Sequence, residues 1–278
     1  MDDLTTYAEN TWCPGCGNFG IFNAFKKAVR RLEAEGMARE ELAIVAGIGC
    51  HGKIFDYLAL SGFYSLHGRS VATAQGMKLG NPRLKVIVFA GDGDAYGEGL
   101  AHLLFAAKRN ADITVIVHNN GTYGLTTGQA TPTSVLGFRG PSTPRGSVEE
   151  PFNPLSLALS AGASFVARGY PVKLEHLAGL FVRAIGHEGF SLVDVLQPCV
   201  TFNNTYDLYN GLVTELEVVP ETLEDALGAA RRTDRLLVGV MREVAAEPHH
   251  RRLLGERRPA EERASGAHRL SAVRKALE

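Results

Sequence analysis

The sequence predicts an α/β fold: a mostly parallel sheet with helices on both faces. Three observations carry that expectation. Short apolar runs rich in β-branched residues recur along the chain, stretches with helical spacing separate them, and the first three runs end in unusual loops. Strands buried on both faces belong to parallel sheets, whose crossovers are helices. In such sheets a ligand site collects at the carboxyl ends of the strands, where G-I-G-C-H, G-D-G-D and H-N-N-G-T-Y-G all fall.

The elements follow in chain order. Residues 18–35 place Phe19, Ile21, Phe22, Phe25, Val29 and Leu32 at helical spacing, with Lys26, Lys27, Arg30 and Arg31 elsewhere. That predicts an amphipathic helix opening directly after C-P-G-C-G. "ELAIVAGIGC" reads as a buried strand with a glycine-rich exit, "RLKVIVFAGDGDAYGEG" as a second, and "ADITVIVHNNGTYG" as a third. Helices are expected over about 70–79, 97–109 and 172–187, and "GASFVARGY" and "FSLVDVLQPC" add two strands. Residues 121–154, rich in Gly, Thr, Ser and Pro, read as a long functional or interfacial loop rather than a linker. From about Pro248 the chain turns charged, which suggests a solvated or partner-contacting helical tail. The expected division is a site-bearing domain over 1–215 and a C-terminal helical extension over 216–278.

Bulk properties narrow the function. The 278 residues suffice for a substantial core, and 45% hydrophobic with 21% charged residues is ordinary for a globular protein. A net charge of −1 gives no electrostatic footprint for nucleic acid or an anionic membrane. No apolar run is long enough to span a bilayer, and "MDDLTTYAENTW" lacks the basic and apolar regions of a signal peptide. A cytoplasmic location follows as the expectation, and there paired cysteines are more often metal ligands or redox groups than disulfides.

The chemistry begins at Gly91-Asp92-Gly93. Alone this is a turn signal, but 25 residues (94–118) separate it from Asn119-Asn120 at the end of the next strand. Asp92 and Asn120 thus lie on adjacent strand ends, offering a carboxylate and an amide carbonyl, hard oxygen ligands suited to Mg²⁺. Glycines 91, 93 and 97 let the backbone approach a diphosphate, and a helix N-terminus would face it. This spacing resembles the thiamine diphosphate motif, in which Asp92, Asn120 and the main-chain carbonyl of Thr122 would hold the metal. "YGLTTGQATPT" would then pack beside the diphosphate and thiazolium ring.

The four cysteines of the chain fall at related places. Cys13 and Cys16 precede the first helix, Cys50 ends the first strand, and Cys199 ends the last of the set. Four thiolates on loops and strand ends suit zinc or an iron–sulfur cluster.

Together C-P-G-C-G, G-I-G-C, H-G-R, G-D-G-D, N-N-x-x-Y-G-x-T-x-G-Q and P-C-V-T-F-N resemble the β subunit of the 2-oxoacid:ferredoxin oxidoreductases, over roughly residues 11–205. The resemblance implies a thiamine diphosphate-binding fold and one [4Fe–4S] cluster on Cys13, Cys16, Cys50 and Cys199. Ile48, Gly49, Cys50, His51, His67 and Gly68 would join Gly91, Gly93, Asp94, Gly124 and Leu125 around the cofactor, with His67 among the catalytic candidates. The implied reaction is reversible, CoA-dependent oxidative decarboxylation of a 2-oxoacid, its electrons passing to ferredoxin; run backwards it fixes CO₂. An α subunit would supply the pyrimidine-side Glu and much of the CoA site, in an (αβ)₂ assembly.

Two positions bear on substrate. Lys53 lies three residues beyond Cys50 and could bring a point charge to the site mouth for a second carboxylate. Leu125 stands where pyruvate-type relatives carry a polar Asn, and this pair goes with 2-oxoglutarate in the resemblance. The alternatives are pyruvate or branched 2-oxoacids, a non-redox thiamine enzyme, which would leave the cysteines without a role, and a zinc-stabilised interaction domain, which would not explain Asp92 and Asn120.

Overall fold

A computed structural model describes residues 4–262 and 266–277. Eight strands, β1 (Leu42–Ala46), β2 (Ser61–Tyr64), β3 (Lys85–Gly91), β4 (Ile113–Asn119), β5 (Phe165–Gly169), β6 (Ser191–Leu196), β7 (Val213–Glu215) and β8 (Leu236–Glu243), form one sheet in the order β2-β1-β3-β4-β6-β5-β8-β7. The first six are parallel, while β8 runs antiparallel to β5 and carries β7 parallel to itself. The expected strands are all present.

Strand residues alternate between two cores, as the pleat requires. On one face Ile44, Ile87, Phe89, Ile116 and Val193 pack under α1 (Asn18–Ala34) and α6 (Leu174–Gly186). Phe25 of α1 meets Phe89 edge-on at a centroid distance of 4.9 Å and is fully buried, a contribution of about 1.5–3 kcal/mol by area. On the other face Val45, Val88, Val115, Val117 and Leu192 pack under α3 (Ser70–Gly80), α4 (Leu100–Arg109), α5 (Pro154–Ser160) and α8 (Leu223–Ala230).

The structure departs from expectation at three places. The helix expected from 97 begins at Leu100, because Gly93–Glu98 forms a wide π-type turn that keeps Asp94 and Tyr96 pointing inward. Edge strand β2 was not anticipated: all four of its residues are exposed, so it lacks the apolar pattern of its neighbours. The stretch 216–278 is not simply a helical extension, since β8 completes the sheet within it and buries Leu237, Val238, Val240 and Met241. The charged tail does carry α9 (His249–Leu254) and α10 (Gly266–Leu277); residues 263–265 and 278 of that reading, and 1–3 of the N-terminal one, lie outside the described residues. No helix among the described residues is long and apolar enough to cross a membrane. A short helix, α2 (Ile54–Tyr57), and α7 (Tyr206–Leu212) complete the chain.

Candidate active site

Strands β1 and β3 are neighbours whose connections leave in opposite directions, β1 towards β2 and β3 towards β4. The crevice outside their carboxyl ends is the switch point where ligands of open parallel sheets bind. A cleft opens there, lined by Ile48, Gly49, Cys50 and His51 after β1, Gly91 to Asp94 after β3, and Asn120 and Thr122 to Thr126 after β4. His67 and His118 complete its wall.

Asp92 sits at its floor, 2% exposed. Its Oδ2 accepts from Thr131 Oγ1 at 2.5 Å and Thr133 Oγ1 at 2.6 Å. Burial pushes its carboxyl above the usual range, and those two hydroxyls oppose the shift. Asn120, directly after β4, lines the same cleft. The amide Oδ1 accepts from the Thr122 N–H at 3.0 Å, leaving a second lone pair free, and Nδ2 donates to Gln197 Oε1 at 3.0 Å. Asn203 Nδ2 holds the Asn120 main-chain carbonyl at 2.8 Å. The amide is therefore oriented from both sides, which suits an oxygen ligand.

A second buried carboxylate, Asp94, gathers two histidines. Its Oδ1 accepts from Gly68 N at 2.6 Å and lies 3.2 Å from His67 Nδ1, while Oδ2 lies 3.6 Å from His51 Nε2. The His51 ring fills the space a side chain at Gly91 would need, since a Cβ there would sit 2.7 Å from Nδ1. His118, fully buried beneath, bonds Asn18 Oδ1 through Nδ1 at 2.8 Å, and burial holds it well below the usual histidine range. It therefore stays a neutral ring.

The four thiols line one adjoining cavity, with Trp12, Lys53, Gln197 and Phe202. All four are free of disulfides. Cys16 and Cys199 are buried, Cys50 is intermediate and Cys13 exposed. Burial, and secondarily the other three cysteines, push the Cys16 thiol up to about 12, so a bound cation would be needed to keep it a thiolate. Gln197 Nε2 and Thr201 Oγ1 donate to Cys16 and Cys13 Sγ at 3.5 and 3.3 Å. A Cβ on Gly124 would lie 3.5 Å from Cys50 Sγ and 3.9 Å from Cys199 Sγ. Among the described residues no three His, Cys, Asp or Glu side chains converge on a single-ion site. The thiols line the wall of that one cavity. Cys50, Asn120 and Gly124 line both this cavity and the cofactor cleft.

Residues 47–195 match the family model described as the thiamine pyrophosphate enzyme, C-terminal TPP binding domain. A 2-oxoacid:ferredoxin oxidoreductase subunit beta of Saccharolobus solfataricus is 42% identical over 269 residues, covering 90% of this chain and 87% of its own. The chain belongs to the 2-oxoacid:ferredoxin oxidoreductases, as a β subunit. The 2-oxoglutarate oxidoreductase subunit KorB of Mycobacterium tuberculosis is 43% identical over 202 residues, or 73% of this chain and 53% of its own. A solved 2-oxoglutarate:ferredoxin oxidoreductase from Magnetococcus marinus, with 2-oxoglutarate, coenzyme A and succinyl-CoA bound, superposes at a TM-score of 0.89. That match has 33% identity and covers 98% of this chain and 94% of the other.

In this β subunit the cleft brings together Ile48, Gly49, Cys50, His51, His67, Gly91, Asp92, Gly93, Asp94, Asn120, Thr122, Gly124 and Leu125. Gly68 stands behind them on Asp94. Lys53 is placed differently from the expectation. Its ammonium donates to Thr11 Oγ1 at 3.0 Å on the rim of the thiol cavity and is not part of the cleft wall. Thr11 supplies nearby acceptors, and the flexible stem settles on them. The motif reading missed His118, Gln197 and Asn203, which orient the site from β4 and the loop after β6. The sequence signal for His118 and Gln197 was a polar side chain at the end of an otherwise apolar strand.

Proposed function

We propose that this β subunit, joined to an α subunit, catalyses CoA-dependent oxidative decarboxylation of 2-oxoglutarate to succinyl-CoA and CO₂, reversibly, with electrons leaving through a [4Fe–4S] cluster to ferredoxin. The observation that carries the reading is the wall shared by the cofactor cleft and the four-thiol cavity. A redox group in that cavity would lie one side chain away from the thiamine site. Cys13, Cys16, Cys50 and Cys199 would each take one iron, the donor set such clusters use. Asp92, Asn120 and the Thr122 carbonyl would hold Mg²⁺ against the diphosphate, hard oxygens for a hard cation.

Bound thiamine diphosphate supplies a carbanion-stabilising ring to the 2-oxoacid. The chain's own residues prepare the surroundings. Tyr123 covers the G-D-G-D turn, its hydroxyl donating to the Gly93 carbonyl at 3.3 Å, and so limits water at the diphosphate end. His67 lies beside Asp94 at the mouth, where the partly exposed ring can hydrogen-bond a reacting oxygen. Lys53, released from Thr11, would offer a cation to a distal carboxylate from the adjoining cavity, and Leu125, 48% exposed, lines the cleft itself. The KorB names and the 2-oxoglutarate-bound relative support the choice of substrate.

This subunit brings the diphosphate half of the site; the pyrimidine-side Glu and much of the CoA site would come from the α subunit, in an (αβ)₂ assembly. The test is anaerobic purification of the β subunit alone and with its α subunit, followed by CoA-dependent ferredoxin reduction with 2-oxoglutarate, pyruvate and branched 2-oxoacids. Activity confined to the complex and highest with 2-oxoglutarate is expected. Turnover by the β subunit alone, or a preference for pyruvate, would overturn the corresponding part.

A further inference from the structure

A charge pair lies inside the sheet, on the face that carries α3 and α4. Arg168 of β5 and Asp194 of β6 are register neighbours, 6% and 0% exposed. Their side chains face each other at 3.7 Å between Nε and Oδ2, and neither of those two atoms has a hydrogen-bond partner. Buried charges that are incompletely bonded are a poor source of stability, so a reason for the pair lies in what else Asp194 touches. Its Oδ1 accepts from Tyr96 OH at 2.8 Å, within the π-type turn Gly93–Glu98, and from Asn119 Nδ2 at 3.0 Å, at the end of β4. The link continues. Asn119 Oδ1 lies 2.9 Å from Thr133 Oγ1, and the same hydroxyl lies 2.6 Å from Asp92 Oδ2.

We infer that Asp194 is a positioning residue for Asp92, acting through Asn119 and Thr133 to set how strongly Asp92 binds a divalent cation; this rests on the proposed Mg²⁺ role of Asp92. The Thr133 hydroxyl is shared between Asp92 Oδ2 and the Asn119 carbonyl, with Thr131 Oγ1 a third neighbour at 3.3 Å. By holding the Asn119 amide nitrogen, Asp194 aims the Asn119 carbonyl at that hydroxyl and so fixes Thr133 against the carboxylate. Asp92 is then held in one orientation for the cation. If Asn119 is released, Thr133 loses that second anchor, and the carboxylate becomes a weaker ligand held in a less defined orientation. The first Asn of the N-N pair thus has a task distinct from the second: Asn120 faces the cleft, whereas Asn119 transmits orientation from the sheet interior.

The experiment is equilibrium dialysis of thiamine diphosphate against the anaerobic αβ complex over a Mg²⁺ series, with the melting temperature measured in parallel. Asp194→Asn and Asn119→Ser are compared with wild type; the second leaves the Arg168–Asp194 pair intact should the first fail to fold. Each is expected to raise the half-saturating Mg²⁺ concentration by about 10–100-fold, with cofactor occupancy at saturating Mg²⁺ retained. A general structural fault would instead lower occupancy at every Mg²⁺ concentration together with the melting temperature, and that result overturns the inference. So does a half-saturating Mg²⁺ concentration within twofold of wild type in either folded variant, with the metal role of Asp92 left standing. In a Thr133→Val background Asp194→Asn should add no further rise; multiplying effects would break the path. Wild-type binding that ignores Mg²⁺ would remove the metal reading itself, and the inference with it.

Discussion

Replacing Gly93 by Ala tests whether the G-D-G-D turn and the 121–154 strap are closed on each other as tightly as the cleft requires. A Cβ at Gly93 would stand 2.1 Å from Tyr123 Cε1 and 2.4 Å from Cζ, where carbon atoms rest at about 3.5–4.0 Å. The ring must therefore retreat by more than an ångström. It has little freedom to do so. The Tyr123 backbone is tied on both sides, N–H to Gln129 O and O to Gly128 N, each at 2.9 Å, and the ring lies against His67 with centroids 6.0 Å apart. Overpacking of this kind costs about 1–3 kcal/mol. For a chain of this length each kcal/mol moves the melting temperature by about 2–4 °C, which gives a fall of about 2–12 °C. Where the cofactor needs the turn and strap together, the same strain returns on binding and lowers affinity by about 5–150-fold. Calorimetry on the αβ complex and dialysis of thiamine diphosphate measure both. The decisive control is Tyr123→Ala, which removes the colliding ring. In that background Gly93→Ala should be nearly silent in melting temperature, and an undiminished penalty would refute the steric account.

Three further outcomes are expected. Cys199→Ser should strip iron and visible absorption from the subunit while leaving Mg²⁺-dependent cofactor binding, as measured by iron analysis beside dialysis; retained iron would remove Cys199 from the ligand set. Lys53→Ile should lower kcat/KM for 2-oxoglutarate far more than for pyruvate, and equal losses would end its specificity role. His187 is held below the ordinary histidine range by burial, and its Nε2 lies 2.8 Å from Ser164 Oγ. A depressed folded-state pKa means the unfolded chain takes the proton first, so this contribution is whole above about pH 6.5 and declines as the pH falls below it. His187→Gln should flatten part of the acid-side fall in melting temperature, by less than a fully buried group would because the ring is half-exposed, and an unchanged slope would exclude it.

Much of this was legible because local and global signals agree. The runs around Ile44, Val88 and Val115 are apolar on both faces and could only be interior strands, and their exits carry the residues of the cleft. Edge strand β2 could not be read: a two-sided exposed strand such as Ser61–Tyr64 has no hydrophobic period to detect. Strand β8 did have an apolar run, Leu236 to Met241, but its charged surroundings read as tail, and only the antiparallel seat beside β5 gives the run its burial. Within the site, motif spacing pointed to Asp92, Asn120 and the cysteines because each lies at or near the border of an element. Asp194 and Arg168 lie mid-strand, where a charge looks like an exposed position, and their link to Asn119 exists only once β4, β5 and β6 are side by side. Lys53 marks a further limit, since the rotamer of a long side chain is set by whichever acceptor lies in reach, here Thr11.

The central claim is that the thiamine site and the four-thiol cavity work as one unit across Cys50, Asn120 and Gly124. Anaerobic absorption spectroscopy of the αβ complex, followed while 2-oxoglutarate and CoA are added, tests it most directly. The account predicts a broad visible band that bleaches on addition of substrate as it does with dithionite, and that is absent from the Cys199→Ser complex. A band that dithionite bleaches and 2-oxoglutarate with CoA leaves untouched, or no band at all, would contradict it.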